Sequence, residues 1–244
     1  MIRLRRRSYP LMVPLLLVSL TVTIAAGADF WTKKPYQSWS ADETRRMLEE
    51  SPWATTLPLS SVQTNITTSD APHNKGYRSE METNPTISYT VQFRSAQPIR
   101  EAQVRSSQLN SHYDAMSADK KAAFDASAGK FLAATFPDRV LVAVTFHTNV
   151  QDYVSELRSY WTDQSPAKLN KSVYLNTSTD RLTLLDYSFK DDTFVFTFPR
   201  PKQVGPNEKI GVEFVHPNIN VIRQQRVLQE FSVKKMLVNG EPSF

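Results

Sequence analysis

A chain of 244 residues without one cysteine has no disulfide, no thiolate metal site and no cysteine nucleophile, so its stability has to come from a hydrophobic core. The formal charge of +5 sits at the start: Arg3, Arg5, Arg6 and Arg7 are four of the 29 basic residues, and without them 25 remain against 24 acidic ones. No later run of Lys or Arg exceeds two, which excludes the phosphate-neutralising surface of a nucleic-acid binder.

The four arginines precede an uncharged apolar run from Leu11 to Ile24 and the small residues Ala26, Gly27 and Ala28, the order of a secretory signal peptide (residues 1–28) cleaved after Ala28. The uncharged stretch from Ser8 to Ala28 is also nearly long enough for an uncleaved membrane anchor, an alternative that Pro10 and Pro14 weaken. Both readings put the body of the protein outside the cytoplasm, periplasmic or secreted, with a membrane touched only through an uncleaved signal segment.

Residues 29–58 read as an N-terminal aromatic arm and one short helix. Ser40 and Glu43 have capping-box spacing, so the helix begins at Ala41; Met47 and Leu48 give it an apolar edge, and Ser51-Pro52 ends it. Residues 59–85, rich in Ser, Thr, Asn and Pro, read as a surface loop with one short strand around Val62 to Ile66. The rest, residues 86–244, is expected to form a single α+β domain.

In that domain Ile87, Tyr89, Val91 and Phe93 alternate with Ser88, Thr90, Gln92 and Arg94, the pattern of a half-buried strand. Pro98 opens a helix with an expected stripe of Ile99, Ala102, Ser106, Leu109, Tyr113 and Met116. Ser117 caps a second, whose expected buried stripe is Phe124, Ala128, Phe131 and Leu132, so a helical hairpin is inserted near 96–135. Strand follows at Val140 to Thr148, helix at Tyr153 to Trp161, then strands at Ser172 to Asn176, Leu182 to Phe189, Thr193 to Phe198, Lys209 to His216 and Val227 to Val238. Asn239-Gly240 signals a two-residue hairpin and Pro242 an edge. The fold expected is α+β: an antiparallel β-sandwich or sheet carrying the helical hairpin, with the aromatic arm and short helix in front. A mixed sheet, with the hairpin as a parallel crossover, is the rival.

The segments DFWTKKPYQSWSADE, SPWA, ISYTVQFRSAQPIREAQVR, MSADKKAAFDASAGKFLA, QDYVSELRSYW and FSVKKMLVNG together resemble a family of uncharacterised exported bacterial proteins. The resemblance spans most of the chain after the signal and implies one continuous domain. It brings no activity, cofactor or catalytic residue with it.

Candidate sites must therefore come from the residues. Trp31, Tyr36, Trp39 and Trp53 crowd the arm, where flat rings either stack on a glycan or grip an envelope protein, or else latch the arm onto the domain. The nearest two histidines, His112 and His147, are 35 positions apart, so no local zinc pair exists, and His147 and His216 read as hydrogen-bonded structural residues. No nucleophile elbow or glycine-rich phosphate loop occurs among the six glycines. Glu80, Glu82, Glu101, Asp186 and Glu213 are available to a two-carboxylate glycoside hydrolase, although each reads more simply as a solvated or paired charge, as in Glu101 with Arg105. Arg94, Arg100 and Arg105 present either an anionic-polymer site or the polar face of a helix. The expectation is an exported, non-catalytic binding or structural protein of the bacterial envelope, without cofactor or metal, whose partner is an envelope protein or a glycan.

Overall fold

A computed structural model describes residues 30–59, 85–219 and 222–244; the export signal and the strand expected around Val62 to Ile66 lie outside the described residues. In chain order the elements are two 3-10 turns (Phe30–Thr32, Tyr36–Ser38), α1 (Ala41–Glu49), β1 (Glu50–Ser51), β2 (Ala54–Pro58), β3 (Ile87–Phe93), α2 (Gln97–Asn110), a 3-10 turn (Tyr113–Ala115), α3 (Ala118–Ala133), β4 (Arg139–Thr148), α4 (Gln151–Thr162) and α5 (Pro166–Leu169). There follow β5 (Tyr174–Asn176), β6 (Arg181–Leu182), β7 (Asp186–Lys190), β8 (Thr193–Pro199), β9 (Lys209–His216), β10 (Gln225–Ser232), a 3-10 turn (Val233–Lys235), β11 (Leu237–Val238) and β12 (Glu241–Pro242).

Local chemistry sets several of these boundaries. The Ser40 N–H donates to the Glu43 carboxylate at 2.8 Å and the Glu43 N–H to the Ser40 hydroxyl at 3.2 Å, so two orphan donors are satisfied and α1 starts at Ala41. Pro98 lies in the first turn of α2, where its missing N–H leaves no bond unmade. Asn239 and Gly240 take φ of 54° and 85° and close the β11–β12 turn, with Pro242 on a two-stranded ribbon.

The strands form two main sheets, ordered β1-β2-β3-β4-β8-β7 and β10-β9-β5-β6, with every pairing antiparallel. The fold is α+β. Because β3 and β4 pair antiparallel with the helical hairpin between them, the hairpin is an excursion between two neighbouring central strands and not a parallel crossover.

The inner faces of the sheets meet through aromatic rings. Tyr89 lies 5.0 Å from Phe214, Phe93 5.0 Å from Phe231 and Phe194 5.8 Å from Phe214, all edge to face. From α4, Trp161 stacks on Phe194 at 3.9 Å, and Tyr153, Leu157 and Trp161 form its buried stripe at steps of four.

The strand expected over Val227 to Val238 is divided by the 3-10 turn Val233–Lys235 into β10 and β11, which lie in different sheets, and four further sequence expectations need correction. The outward face of β3 is covered as well: Thr90 and Gln92 are buried, with the Gln92 amide donating to the Leu48 carbonyl of α1 at 2.6 Å. The strand expected over Leu182 to Phe189 is two strands in different sheets, because Leu184 turns into the core as the chain crosses over. Ala54 to Pro58 does not belong to a separate arm; β2 is hydrogen-bonded to β3 within the larger sheet.

The fourth correction concerns the helical hairpin. On α2, Ile99 and Ala102 are buried as expected, but Val104 and Gln108 take the places foreseen for Ser106 and Leu109, and the helix stops before Tyr113. On α3 no residue is buried, and Phe131 is 42 % exposed. Phe124, Ala128 and Phe131 instead line an open groove of about 280 Å³ against Gln103, Val104 and Ser107. A buried arginine anchors α3: Arg100 Nη1 lies 3.1 Å from the Phe131 carbonyl oxygen and 2.9 Å from that of Leu132, and it also reaches the Ala134 carbonyl. They lie at the C-terminal end of α3, where the Phe131 carbonyl has only the Ala134 N–H at 3.4 Å as a main-chain donor, and the positive charge suits the helix dipole there.

Candidate functional site

Trp31, Tyr36, Trp39 and Trp53 form, together with Phe30, one chain of five rings in contact. Trp53 packs on Trp31 at 5.9 Å, Trp31 on Phe30 at 5.2 Å, Phe30 on Trp39 at 5.4 Å and Trp39 on Tyr36 at 6.5 Å. Trp39 and Trp53 are 1 % and 0 % exposed, so they are core residues and neither offers a face to a ligand. The Trp53 indole donates to the Ser243 carbonyl at 2.6 Å, which ties the arm to the far end of the chain. Of the four, only Trp31 and Tyr36 are partly open to solvent.

Tyr36 borders a cleft of about 410 Å³ where the arm meets the helical hairpin, facing Arg105 and Gln108 of α2, Tyr113 from the connecting turn, and Asp125 and Gly129 of α3. Each side chain is fixed. Arg105 Nε donates to the Trp39 carbonyl at 2.8 Å and its Nη1 to the Gln108 amide oxygen at 3.3 Å. The Tyr113 hydroxyl donates to the Asp125 carboxylate, 2.8 and 2.9 Å from its two oxygens, and the Tyr113 ring packs on Phe124 at 5.3 Å. Burial, with the charges of Glu101 and Asp125, raises the Tyr36 phenol above its usual value, and the bond to Asp125 raises that of Tyr113. Both phenols are therefore protonated donors at neutral pH. Two flat rings, an amide, a guanidinium and a carboxylate on one open cleft match what a sugar asks of a protein: apolar ring faces and convergent donors and acceptors.

The other candidates have structural partners. His216 is buried and its Nδ1 lies 2.6 Å from the Tyr89 hydroxyl; burial pulls its pKa down to about 4. His147 Nε2 lies 3.0 Å from the Thr90 hydroxyl. Among the described residues no three His, Asp or Glu side chains converge to hold a metal, and His73, Glu80 and Glu82 lie outside them. Glu101 accepts from the Gln97 amide at 2.9 Å and does not pair with Arg105 as its spacing suggested. Asp186 accepts from the Tyr187 N–H at 2.8 Å. Glu213, 6 % exposed, binds Arg226 at 2.8 Å and Arg181 at 3.0 Å and accepts from Asn176 at 2.9 Å. Burial by itself would raise the Glu213 carboxylate, but hydrogen bonds from Arg226 and Asn176 and the two arginine charges bring it below its usual range.

The three arginines read together in the sequence are dispersed: Arg100 caps α3, Arg105 ties the arm to α2, and Arg94 lies on the outward side of the larger sheet. Sequence reasoning found Tyr36 and missed Arg105, Gln108, Tyr113 and Asp125 as its companions. The available signal was the 12-residue separation of Tyr113 and Asp125 across the turn between α2 and α3, where Ser117 precedes α3 without the capping bond expected of it; the separation brings both to the same end of the hairpin.

In comparisons with family models, curated proteins and solved structures, the chain has no match.

Proposed function

We propose that this chain is an exported, non-catalytic binding protein of the bacterial cell envelope, and that it engages an envelope glycan through the cleft between the aromatic arm and the helical hairpin. The observation that carries the reading is the convergence of Tyr36, Arg105, Gln108, Tyr113 and Asp125 on one open, pre-formed cleft. The signal-like first 28 residues support export, in keeping with the resemblance to exported bacterial proteins.

The two-carboxylate hydrolase remains the competing reading, since Asp114 and Asp125 both border this cleft. Against it stand two facts. Both acids are solvent-exposed, whereas a general acid needs an environment that holds its proton, and Asp125 already accepts the Tyr113 proton. Every described carboxylate with a perturbed titration (Glu43, Asp138, Asp192 and Glu213) is shifted down, toward the ionised form.

The test is titration of the exported protein with soluble glycan fragments released from the envelope, read by calorimetry, with product analysis of the same mixtures. Tyr36→Ala and Tyr113→Phe should each weaken binding about five- to tenfold without changing the melt, the loss expected for one stacking or hydrogen-bonding partner. Cleaved fragments would instead establish the hydrolase, and intact fragments bound equally by all three proteins would move the site elsewhere.

A further inference from the structure

On the outward side of the larger sheet a guanidinium stands without a counter-group. Arg94 follows β3, where its main-chain N–H donates to the Leu141 carbonyl of β4 at 2.8 Å. Its side chain enters a cleft of about 190 Å³ whose other walls are Ser188 and Lys190 of β7, Asp191, and Thr193 and Val195 of β8. Since β4 lies between β3 and β8, the side chain extends across β4 to border it. Among the described residues the buried Arg94 Nε has no hydrogen-bond partner, and no carboxylate forms an ion pair with the guanidinium. Burial alone holds its titration below the ordinary arginine range, with no neighbouring acid offsetting it.

The other arginines show what this fold does with a guanidinium it uses structurally. Arg100, whose buried Nε is likewise without a partner, and Arg200 both bind main-chain oxygens through their Nη groups or Nε, Arg158 binds Asp192, and Arg181 and Arg226 bind Glu213, so Arg94 differs in that none of its guanidinium nitrogens has a protein acceptor among the described residues. A half-buried charge left unpaired costs stability, and the ordinary remedies are absent at Arg94.

We propose that the Arg94 cleft is an oxyanion subsite that takes one carboxylate, phosphate or sulfate group, held by the Arg94 guanidinium with Lys190, Ser188 and Thr193 around it. A planar guanidinium fork suits two oxygens of such a group, the ammonium adds charge, and the hydroxyls donate further hydrogen bonds. Asp191 borders the same cleft, but it lies 3.9 Å from Lys190, and the two cations outnumber it. The rim is built to stay in place. Asp191 and Asp192 make the β7–β8 turn with φ of 50° and 60°, a left-handed pair without glycine, and Arg158 grips Asp192 through two parallel bonds. Thr193 is fixed by Thr145, 2.8 Å away on the neighbouring strand. At about 190 Å³ the cleft is below the roughly 300 to 1,000 Å³ of sites that enclose a drug-sized molecule, so it fits a charged group and not a whole ligand.

The test is calorimetric titration of the purified exported protein with sodium phosphate, sodium sulfate and sodium acetate as separate probes at matched ionic strength, with melting curves in each. At least one probe should saturate a single site and raise the melting temperature; its identity separates a phosphate- or sulfate-bearing ligand from a carboxylated one. Arg94→Gln should abolish both effects and, without any probe, melt no lower than the natural protein, because an unpaired charge has been removed. Lys190→Ala, altering an exposed side chain, should weaken binding several-fold at an unchanged melt, and it keeps the test open should Arg94→Gln not fold. The proposal is overturned if no probe saturates, if Arg94→Gln still binds or folds but melts lower, or if Lys190→Ala binds as tightly as the natural protein.

Discussion

The N-terminal arm and α3 both lie outside the sandwich, yet the fold treats them in opposite ways. The arm before α1 has only two 3-10 turns, and it sinks Phe30 and Trp39 into the core beside Trp53 of the β1–β2 turn. The helix is 16 residues long, regular and rich in alanine, and it buries none of them. Regular structure and docking are thus separate properties. Alanine and lysine lower the cost of forming α3 but give it little to bury, whereas each indole of the arm supplies a large apolar surface that pins a segment with no regular structure of its own. The cleft bordered by Tyr36 lies between the two, with one wall fixed by burial and the other by a single arginine cap.

The largest expected effect attacks the docked side. Trp53→Ala should destabilise the protein by about 3 to 5 kcal/mol, the cavity cost of a large core ring, as should Phe93→Ala between the sheets. Chemical denaturation checks both. If Trp53→Ala costs no more than an exposed substitution, the arm is not latched and the contrast with α3 dissolves. Fluorescence gives an independent view: Trp39, Trp53 and Trp161 should resist a water-borne quencher, and Trp31 should be the accessible one.

Acid separates the regions next. His216 sits in the core beside Tyr89 with its pKa lowered by burial to about 4 from 6.5. As the pH falls below 6.5 the unfolded chain takes up this proton first, so the stabilisation is full above 6.5 and is lost as the pH approaches 4. The loss is about 3 kcal/mol. The carboxylates with lowered pKa, Glu43, Asp138, Asp192 and Glu213, lose their contributions only below their usual values of 4.5 for Glu and 3.8 for Asp. The interval from pH 6.5 to 4.5 therefore reports His216. Replacing the pair together, Tyr89→Phe with His216→Phe, should flatten the dependence of unfolding free energy on pH there, and a persistent slope would place the responsible group elsewhere.

These regions also differ in how far they could be read from the sequence. The capping box of Ser40 and Glu43, the Asn239-Gly240 turn and the stripe of Tyr153, Leu157 and Trp161 are local codes whose partners lie within a few residues, and the structure follows them. The stripe of Phe124, Ala128, Phe131 and Leu132 obeys the same periodicity and misleads, because period reveals a face but not whether anything covers it. The break at Leu184 escaped for a related reason: an alternation of apolar and polar residues that runs on past Leu184 carries no mark of a change of sheet. Among the site residues Tyr36 stood out by composition, but Arg105, Gln108, Tyr113 and Asp125 come from three other segments whose mutual placement is tertiary. Arg94 looked like its neighbours Arg100 and Arg105, and only the distribution of acceptors distinguishes it.

A middle-sized effect should come from the cap. Arg100→Met keeps much of the apolar stem but removes the donors to the Phe131, Leu132 and Ala134 carbonyls, at a cost of about 1 to 3 kcal/mol for the bonds lost at a helix end. Hydrogen exchange should show the loss concentrated in the amides of α3 while those of β3 and β4 stay protected. Uniform loss across sheet and helix would mean that α3 opens only with the whole domain.

The smallest expected effect gives the finest resolution of the comparison. Gly129 sits inside α3 with open space where a Cβ would go, so Gly129→Ala meets no neighbour and gains helix propensity, about 0.5 to 1 kcal/mol. Where that energy appears depends on how α3 is coupled. If α3 frays independently of the sandwich, the substitution slows exchange of its own amides several-fold and leaves global unfolding unchanged, since the sheets already determine it. If α3 is cooperative with the sandwich, the same energy appears in the global transition. The absence of any buried residue on α3 favours the first result, and a gain in global stability equal to the local one would show that the Arg100 cap couples helix to core far more tightly than burial does.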